Sequence, residues 1–192
     1  MRSSFKYLLG SVPLALTPAL AQASDCENNN LQPTTPSSDF EILGDGATVL
    51  HKPTNLVWSR CNLGQTWNGS TCNGDADETT WQEALEEVAT LNASGALAGQ
   101  DDWRVPNIKE LGSIVERCKR SPAINEEIFP ENPGNNTWSS TPHPLTSGSD
   151  PEQARTWQVS WWNGSIASTR RDENHTTVYE NLIRVVRDHD TE

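Results

Sequence analysis

The stretch Asp101–Leu111 constrains the fold of this chain more than any other part of the sequence. Trp103-Arg104-Val105 has an extended pattern, and Pro106 disfavours a helical backbone at the residue before it. Asn107 suits a helix N-cap, and Glu110, three residues later, completes a capping box. The stretch therefore predicts an extended segment that ends at Pro106 and a helix that starts after Asn107.

Arg104 is the residue that we expect to organise this stretch. Its neighbours in sequence are the carboxylates of Asp101 and Asp102 and the indole of Trp103. A guanidinium pairs with carboxylates and stacks on aromatic rings, so we predict that Arg104 is half-buried and makes both contacts. The motif is expected to mark the fold and not the functional site; it consists of Asp102, Trp103, Arg104, Pro106, Asn107 and Glu110.

Residues 1–23 have the features of a secretory signal peptide. Arg2 and Lys6 precede an apolar run that ends in two overlapping small-x-small cleavage sites. The run is shorter than the roughly 20 apolar residues that a membrane span needs. We therefore expect a secreted or periplasmic protein that has no integral membrane segment once residues 1–23 are removed.

Residues 24–38 are polar and contain two prolines, which is typical of a linker. We expect this segment to be held to the rest of the chain only by Cys26. The length that remains suits one domain with a sizeable core, over residues 39–190.

The charge of the chain argues against nucleic acid as a partner. Removal of residues 1–23 takes away two of the 14 Lys and Arg and none of the 26 Asp and Glu, so the net charge falls from -12 to -14. Binding to a nucleic acid backbone needs cationic patches. The same sign disfavours a highly sulfated ligand, unless the fold creates a local basic patch.

The four cysteines, Cys26, Cys61, Cys72 and Cys118, all follow the signal peptide. In an oxidising compartment they are expected to form disulfides, and four cysteines allow three connectivities. We favour Cys61–Cys72, which would close a loop rich in Gly and Asn, together with Cys26–Cys118. A zinc site is disfavoured because the sequence has no CxxC pair and its histidines are scattered.

Turn residues and hydrophobic periodicity divide the rest of the chain into short strands and two helices. Thr80 and Glu83 form a second capping box, which predicts a helix that starts at Trp81. The other predicted elements are strands over 40–43, 47–50, 56–61 and 137–141, a helix end within 92–95, and a closing strand over 182–187.

A β-hairpin over 155–171 gives the clearest local signal. Its first half alternates between two faces, and Asn163-Gly164 is a favoured two-residue turn. In that register Trp162 points to the opposite face from Trp161. The face that includes Trp161 is predicted to carry Trp157, Val159, Trp161, Ile166, Ser168 and Arg170.

Several motifs occur together in a fixed order between about residue 45 and residue 188. They are a Leu-Val-Trp strand, a Cys-to-Cys loop, Thr-Trp-Gln-Glu-Ala-Leu, Asp-Trp-Arg-Val-Pro-Asn-Ile-Lys-Glu-Leu, Pro-Ala-Ile-Asn, Trp-Ser-Ser-Thr, a Trp-x-Val hairpin and Arg-Val-Val-Arg. This arrangement resembles the exported bacterial domain-of-unknown-function family that includes the C-terminal domain of the collagen-like adhesin Lcl.

That family is related in fold to C-type lectin domains and to formylglycine-generating enzymes. The resemblance implies an α+β domain with two helices and twisted antiparallel sheets, in which the N- and C-terminal strands pair. Its adhesin member implies a non-catalytic binding module for extracellular or envelope polysaccharide. An envelope protein partner and an unrecognised enzyme stay as alternatives, although no cysteine follows Cys118 to provide the copper-binding pair of the formylglycine-generating enzymes.

Two tryptophans and two arginines are the candidate ligand-binding residues. Trp162, on the outer face of the hairpin, and Trp67, in the loop between cysteines, could each stack on a sugar ring. Arg170 and Arg171 could receive an anionic sugar, or could form surface ion pairs. The tryptophans expected in the core are Trp58, Trp81, Trp103 and Trp138.

A calcium site is the remaining alternative, because Asp75 and Asp77, with Glu86 at the twelfth position, partly match a calcium-binding loop. The sixth position is Thr80, where such loops need glycine. Acidic residues near a helix N-terminus are also explained by the helix dipole. We therefore expect neither a metal nor a cofactor.

Overall fold

The computed structural model describes Cys26 and residues 30–95, 97–144, 154–170 and 179–190. In these residues the chain forms two helices and eleven strands, with a single 3-10 turn at Ser37–Asp39 before the first strand. The helices are α1 (Trp81–Ser94) and α2 (Ile108–Ser113). The strands are β1 (Phe40–Leu43), β2 (Thr48–His51), β3 (Leu56–Ser59), β4 (Thr66–Trp67), β5 (Cys72–Asn73), β6 (Glu78–Thr79), β7 (Asn136–Pro142), β8 (Arg155–Ser160), β9 (Ser165–Arg170), β10 (Asn181–Leu182) and β11 (Val186–Asp188).

Most strands belong to two sheets, which confirms the α+β class. One sheet has the order β1-β2-β3-β11 and is antiparallel throughout. The other has the order β6-β10-β7-β8-β9, with β10 and β7 parallel. Strands β4 and β5 form a separate small hairpin. The expected pairing of the N- and C-terminal strands is wrong, because β1 and β11 lie on opposite edges of their sheet with β2 and β3 between them.

The single closing strand predicted over 182–187 is also wrong. This part of the chain first pairs as β10 in the five-stranded sheet and then as β11 in the four-stranded sheet. Between the two strands, the backbone N–H of Leu63 donates to the carbonyl of Ile183, and that of Ser59 donates to the carbonyl of Val185. The segment therefore passes from one sheet to the other along the end of β3.

Arg184 lies at the middle of this crossing and is fully buried. Its Nη1 donates to the carbonyls of Ser59 and Arg60, at 2.8 and 2.6 Å. Its guanidinium lies 4.8 Å from the centre of the Phe129 ring. Burial lowers the pKa of Arg184 to about 9. The carbonyl dipoles and the ring face offset part of the cost of burying this charge at the junction of the two sheets, although Nε and Nη2 have no hydrogen-bond partner among the described residues.

The same crossing separates two hydrophobic clusters. Leu182 and Val186 belong to the first cluster, which also contains Leu111 of α2. Ile183 and Val185 belong to the second. That second cluster also contains the α1 residues Ala84 and Val88, together with Trp103 and Trp138. Of the tryptophans expected in the core, Trp58, Trp103 and Trp138 are buried and Trp81 is partly buried.

Both predicted helix starts are confirmed. Thr80 and Glu83 form a reciprocal capping box at α1, and Asn107 and Glu110 form another at α2. Helix α1 ends at Gly95, which has a left-handed backbone. None of the helices in the described part of the chain is long and apolar enough to cross a membrane.

Arg104 is half-buried and pairs with carboxylates as predicted, but these are not its sequence neighbours Asp101 and Asp102. Its guanidinium binds both carboxylate oxygens of Glu110, at 2.7 and 2.9 Å, and also contacts Asp188 at 3.0 Å. Asp102 instead receives a hydrogen bond from Arg187 at 2.6 Å. Trp103 is buried, and its indole N–H donates to the carbonyl of Leu97. Because Glu110 also caps α2, the Arg104 pair holds the start of this helix to the C-terminal strand.

Two disulfides join the cysteines in the favoured connectivity. Cys61–Cys72 closes the loop that contains the β4–β5 hairpin. Cys26–Cys118 ties the N-terminal segment to the chain just after α2.

The N-terminal segment is held by much more than its cysteine, so the linker expected over 24–38 is not found in its described part. Both carboxylate oxygens of Glu116 accept hydrogen bonds from the backbone N–H and hydroxyl groups of Thr34 and Thr35, at 2.9 to 3.0 Å. The backbone N–H of Cys118 donates to the same carboxylate. Burial alone would raise the pKa of Glu116, but these hydrogen bonds lower it below its usual value.

The hairpin has the predicted faces but a different turn. Ser160 pairs with Ser165, so a four-residue turn replaces the expected two-residue turn at Asn163-Gly164. The register is shifted by two residues, which leaves the side chains of the two strands on their predicted faces, whereas Trp161 and Trp162 lie in the turn. A loop of the same chain accounts for the shift, because the backbone N–H groups of Ala123 and Ser121 donate hydrogen bonds to the carbonyls of Trp161 and Trp162, respectively.

We expect Glu116→Gln to lower the free energy of unfolding at pH 7 by about 1–3 kcal/mol. The N–H groups of Thr34, Thr35 and Cys118 now donate to two carboxylate oxygens, and one of those oxygens would be replaced by the NH₂ group of the glutamine, which cannot accept. The pKa of Glu116 is lowered by folding, so its stabilisation is present above its usual pKa of 4.5 and is lost as the pH falls through the folded-state pKa. Urea unfolding at pH 7 and at pH 3 measures both effects. Glu126→Gln, which removes an exposed carboxylate paired with Lys119, is the control. An equal effect of the two substitutions would contradict this prediction.

We expect Gly164→Ala to destabilise the protein by about 1–3 kcal/mol more than Gly134→Ala. Both glycines have positive φ angles, 70° and 73°. A Cβ atom at Gly164 would lie 2.7 Å from Cγ1 of Val115, whereas one at Gly134 meets no atom within 4 Å. The pair therefore separates the steric contact from the backbone strain. Thermal unfolding of both variants tests it, and equal melting temperatures would show that the turn tolerates the added methyl group.

Candidate functional site

A groove forms where α2 approaches the hairpin of β8 and β9, and we call it the α2–hairpin groove. It has a volume of about 550 Å³. It is lined by Ile108, Lys109, Gly112, Ser113 and Arg117 on the helix side and by Trp157 and Ile166 on the hairpin side.

Hydrogen bonds to β7, the strand that pairs with β8, hold α2 beside the hairpin. The backbone N–H of Ile108 donates to the hydroxyl of Thr141 on β7, and the carbonyl of Pro106 accepts from the backbone of Ser140. Leu111 is completely buried beneath the helix. Lys109 lies on the opposite face of the helix from Leu111, so it is exposed at the edge of the groove.

The floor of the groove is apolar and its charged lining residues are cationic. Trp157 is partly buried, and its ring lies 4.5 Å from that of His143. Ile166 is 44% exposed, although it is a large apolar side chain. Lys109 and Arg117 are the charged residues that line the groove, and both are exposed. An apolar floor with cations at the rim suits a ligand that has both apolar surface and negative charge.

Two further arginines lie on the same hairpin face. Arg155 pairs across the strands with Arg170, and Trp157 pairs with Ser168, so these side chains share one side of the hairpin. The Arg155 guanidinium donates to the hydroxyl and the carbonyl of Ser168. The cationic strip therefore continues from the groove toward the far end of the hairpin.

The four predicted ligand-binding residues do not converge on one site in the described structure. Trp162 is 65% exposed in the hairpin turn. Arg170 lies at the end of β9, and Arg171 lies outside the described residues. Trp67 belongs to the β4–β5 hairpin.

Trp67 lies against a second cleft, which we call the Trp67 cleft. It has a volume of about 370 Å³, and it lies between the disulfide loop and the end of α1. Its lining residues include Asp45, Asn62, Leu63, Trp67, Leu91 and Leu97. Trp67 is half-buried and is not the freely exposed platform that the sequence suggested. Its ring is covered on one side by Arg60, whose guanidinium carbon lies 4.3 Å from the ring centre.

A third cleft, the acidic groove, runs along α1 and has a volume of about 570 Å³. Its acidic lining residues are Asp77, Glu78, Glu83, Glu86, Glu87 and Glu180. Burial, followed by the charges of Asp77 and Glu83, raises the pKa of Glu87. The groove therefore repels anions.

The structure does not gather Asp75, Asp77 and Glu86 into a compact metal-binding group. Among the described residues, the group whose possible ligand atoms all lie within 4.8 Å is Cys26, Glu116 and Cys118. Its two sulfur atoms are joined in a disulfide. Its carboxylate is occupied by the hydrogen bonds of the N-terminal segment.

Sequence reasoning missed Lys109, Arg117 and Trp157 as a set. They come from distant parts of the chain, and only the packing of α2 on the hairpin brings them to one groove. One local signal was available: Lys109, Gly112 and Ser113 recur at the spacing of one helix face, opposite the buried Leu111.

Comparison with known proteins adds a family but no close relative. The family model described as the Lcl C-terminal domain matches residues 47–187. No curated protein and no solved structure matches the chain. The matched residues include both walls of the α2–hairpin groove and nearly all of the Trp67 cleft.

We expect Glu87→Gln to raise the free energy of unfolding at pH 7 by about 0.5 kcal/mol, because it removes a charge that is partly buried and that Asp77 and Glu83 repel. Folding raises the pKa of Glu87, so its destabilising effect is present at neutral pH and disappears below its usual pKa of 4.5. Urea unfolding at pH 7 and pH 4 measures this. Glu41→Gln, at an exposed position of β1, is the control and should give no gain. An identical gain at both pH values would contradict the prediction.

Proposed function

Since the chain belongs to the Lcl C-terminal domain family, we propose that it is an exported, non-catalytic module that binds an anionic polysaccharide. The α2–hairpin groove is its binding site. Extracellular or envelope polysaccharide is the ligand class, and adhesion is the corresponding role.

The observation that carries this proposal is the sign of the charge at the groove. The whole chain has a net charge of -12, and the Trp67 cleft and the acidic groove contain carboxylates. The α2–hairpin groove is instead lined by Lys109 and Arg117, with no carboxylate among its lining residues. It is the local basic patch without which an acidic protein would repel a sulfated or uronic acid chain.

The chemistry of the lining residues suits an anionic sugar. A lysine ammonium and an arginine guanidinium make charge-assisted hydrogen bonds to sulfate or carboxylate oxygens. The apolar face of a pyranose ring can pack on the partly buried Trp157 and on the exposed Ile166. Arg155, on the same hairpin face, extends the contact toward the next sugar of a chain.

The exported and non-catalytic parts of the proposal rest on the cysteines and the leader. Both disulfides suit an oxidising compartment, either the periplasm or the cell exterior. Residues 1–23 would serve as the secretory signal. With all four cysteines in disulfides, the chain offers no thiol pair for copper chemistry of the formylglycine-generating kind. An envelope protein is the second candidate partner, favoured by the exposed Ile166 side chain.

We expect Lys109→Glu to weaken binding of a heparin hexasaccharide by about tenfold, because it replaces an attractive charge in the groove with a repulsive one. Lys52→Glu makes the same charge change at an exposed turn that is distant from Lys109 in the sequence and does not line the groove, so it is the matched control. Calorimetric titration at low and physiological salt measures both variants, and the affinity should fall as salt rises.

Equal losses in the two lysine variants would show that only the net charge matters and would reject the groove as the site. Binding that ignores salt, or that is as tight for uncharged dextran, would reject an anionic ligand. Binding to an envelope protein that Lys109→Glu leaves unchanged would favour the second candidate.

A further inference from the structure

The Trp67 cleft is separate from the α2–hairpin groove and has an aromatic wall in a fixed position. The indole N–H of Trp67 donates to the carbonyl of Asp45 at 3.1 Å. Arg60 covers one side of the ring and does not line the cleft. The Arg60 guanidinium is fixed in turn, because it donates hydrogen bonds to the carbonyls of Gly46, Glu127 and Ile128, at 2.7 to 3.0 Å. The ring that lines the cleft is therefore held in place before any ligand binds.

The cleft also has a buried acceptor that lacks a donor. Asn62 is 1% exposed and lines the cleft. Its Nδ2 donates to the side-chain oxygens of Gln65 and Asn132, at 3.4 and 3.2 Å. Its Oδ1 accepts no hydrogen bond from any described residue. A buried acceptor without a donor is destabilising. The oxygen is itself buried, so a ligand hydroxyl satisfies it once the Asn62 side chain turns toward the cleft.

The charges around the cleft disfavour an anion and weaken the binding of a cation. Asp45 is the ionisable residue that lines it, so an anion would be repelled. A cation on the open side of Trp67 would lie close to the Arg60 guanidinium, which is 4.3 Å from the ring centre on the covered side. The repulsion between the two cations would oppose the attraction of the indole and of the Asp45 carboxylate.

A wholly apolar ligand is disfavoured as well, because it would leave Asn62 Oδ1 without a hydrogen bond. It would also take water from the Asp45 carboxylate, to which the backbone N–H of Ala47 supplies one hydrogen bond. The ligand that fits has an apolar face for Trp67 and for Leu91 and Leu97, and hydroxyl donors at its edge. A cavity of about 370 Å³ is at the small end of sites for such molecules.

We propose that the Trp67 cleft binds an uncharged pyranose ring of a glycan, stacked on Trp67, with its hydroxyls on Asn62 and Asp45. This inference goes beyond the anionic site of the α2–hairpin groove. It gives the domain a second subsite of different chemistry, on a different part of its surface.

The test is a titration of the intact ¹⁵N-labelled chain with cellohexaose, maltohexaose and chitohexaose, each up to about 10 mM, a range that detects even weak specific binding. We expect at least one of them to shift the amide resonances of residues 62–67 and 97–98. Trp67→Phe should weaken that binding by about tenfold, because it reduces the stacking surface and removes the hydrogen bond that orients the ring. Trp162→Ala, which removes the exposed tryptophan of the hairpin turn, is the control and should bind as the wild type does.

The absence of shifts with all three sugars, shifts confined to other residues, or equal losses in the two tryptophan variants would each overturn the proposal. The amide map of the wild-type chain locates the site even if Trp67→Phe unfolds. Lys109→Glu should leave the binding of these uncharged sugars unchanged. Failure of the α2–hairpin groove as a site and failure of the Trp67 cleft are therefore distinguishable.

Discussion

The buried guanidinium of Arg184 is the interaction on which the arrangement of the two sheets depends. It has no carboxylate partner in the described structure, and the carbonyls of Ser59 and Arg60 and the face of Phe129 offset only part of the cost of its burial. Such a group can be buried only where backbone carbonyls converge, which here is the point at which the chain leaves one sheet for the other. The hydrophobic clusters on either side, with α1 in one and α2 in the other, are positioned by this crossing.

The features that could be predicted from the sequence are those set by a few neighbouring residues. The capping boxes of α1 and α2 depend on side chains three residues apart, and they are found as expected. The faces of the β8–β9 hairpin follow from alternation alone, so they survive a register shift of two residues. The α+β class follows from the same local signals together with the family resemblance.

Features that depend on distant partners were not predictable in this way. Arg104 has two acidic neighbours in sequence, but its guanidinium binds Glu110 and Asp188 because the C-terminal strand passes beside it. The candidate sites differ in the same respect. Trp67 could be recognised from its loop, whereas the α2–hairpin groove needs a helix and a hairpin that lie far apart in the chain. Neither the cover that Arg60 gives Trp67 nor the orphan acceptor of Asn62 has a local sequence signal.

The connectivity of the disulfides has a consequence for how the chain matures. Cys61–Cys72 lies entirely inside the interval that Cys26–Cys118 spans, so the bridges are nested. When the chain enters an oxidising compartment N-terminus first, Cys26 and Cys61 arrive before Cys72 and Cys118. Cys26 and Cys61 are not native partners. Cys26 must therefore stay reduced, or exchange its first partner, until Cys118 has followed 92 residues later. Correct pairing of this domain thus depends either on delayed oxidation of Cys26 or on thiol–disulfide exchange.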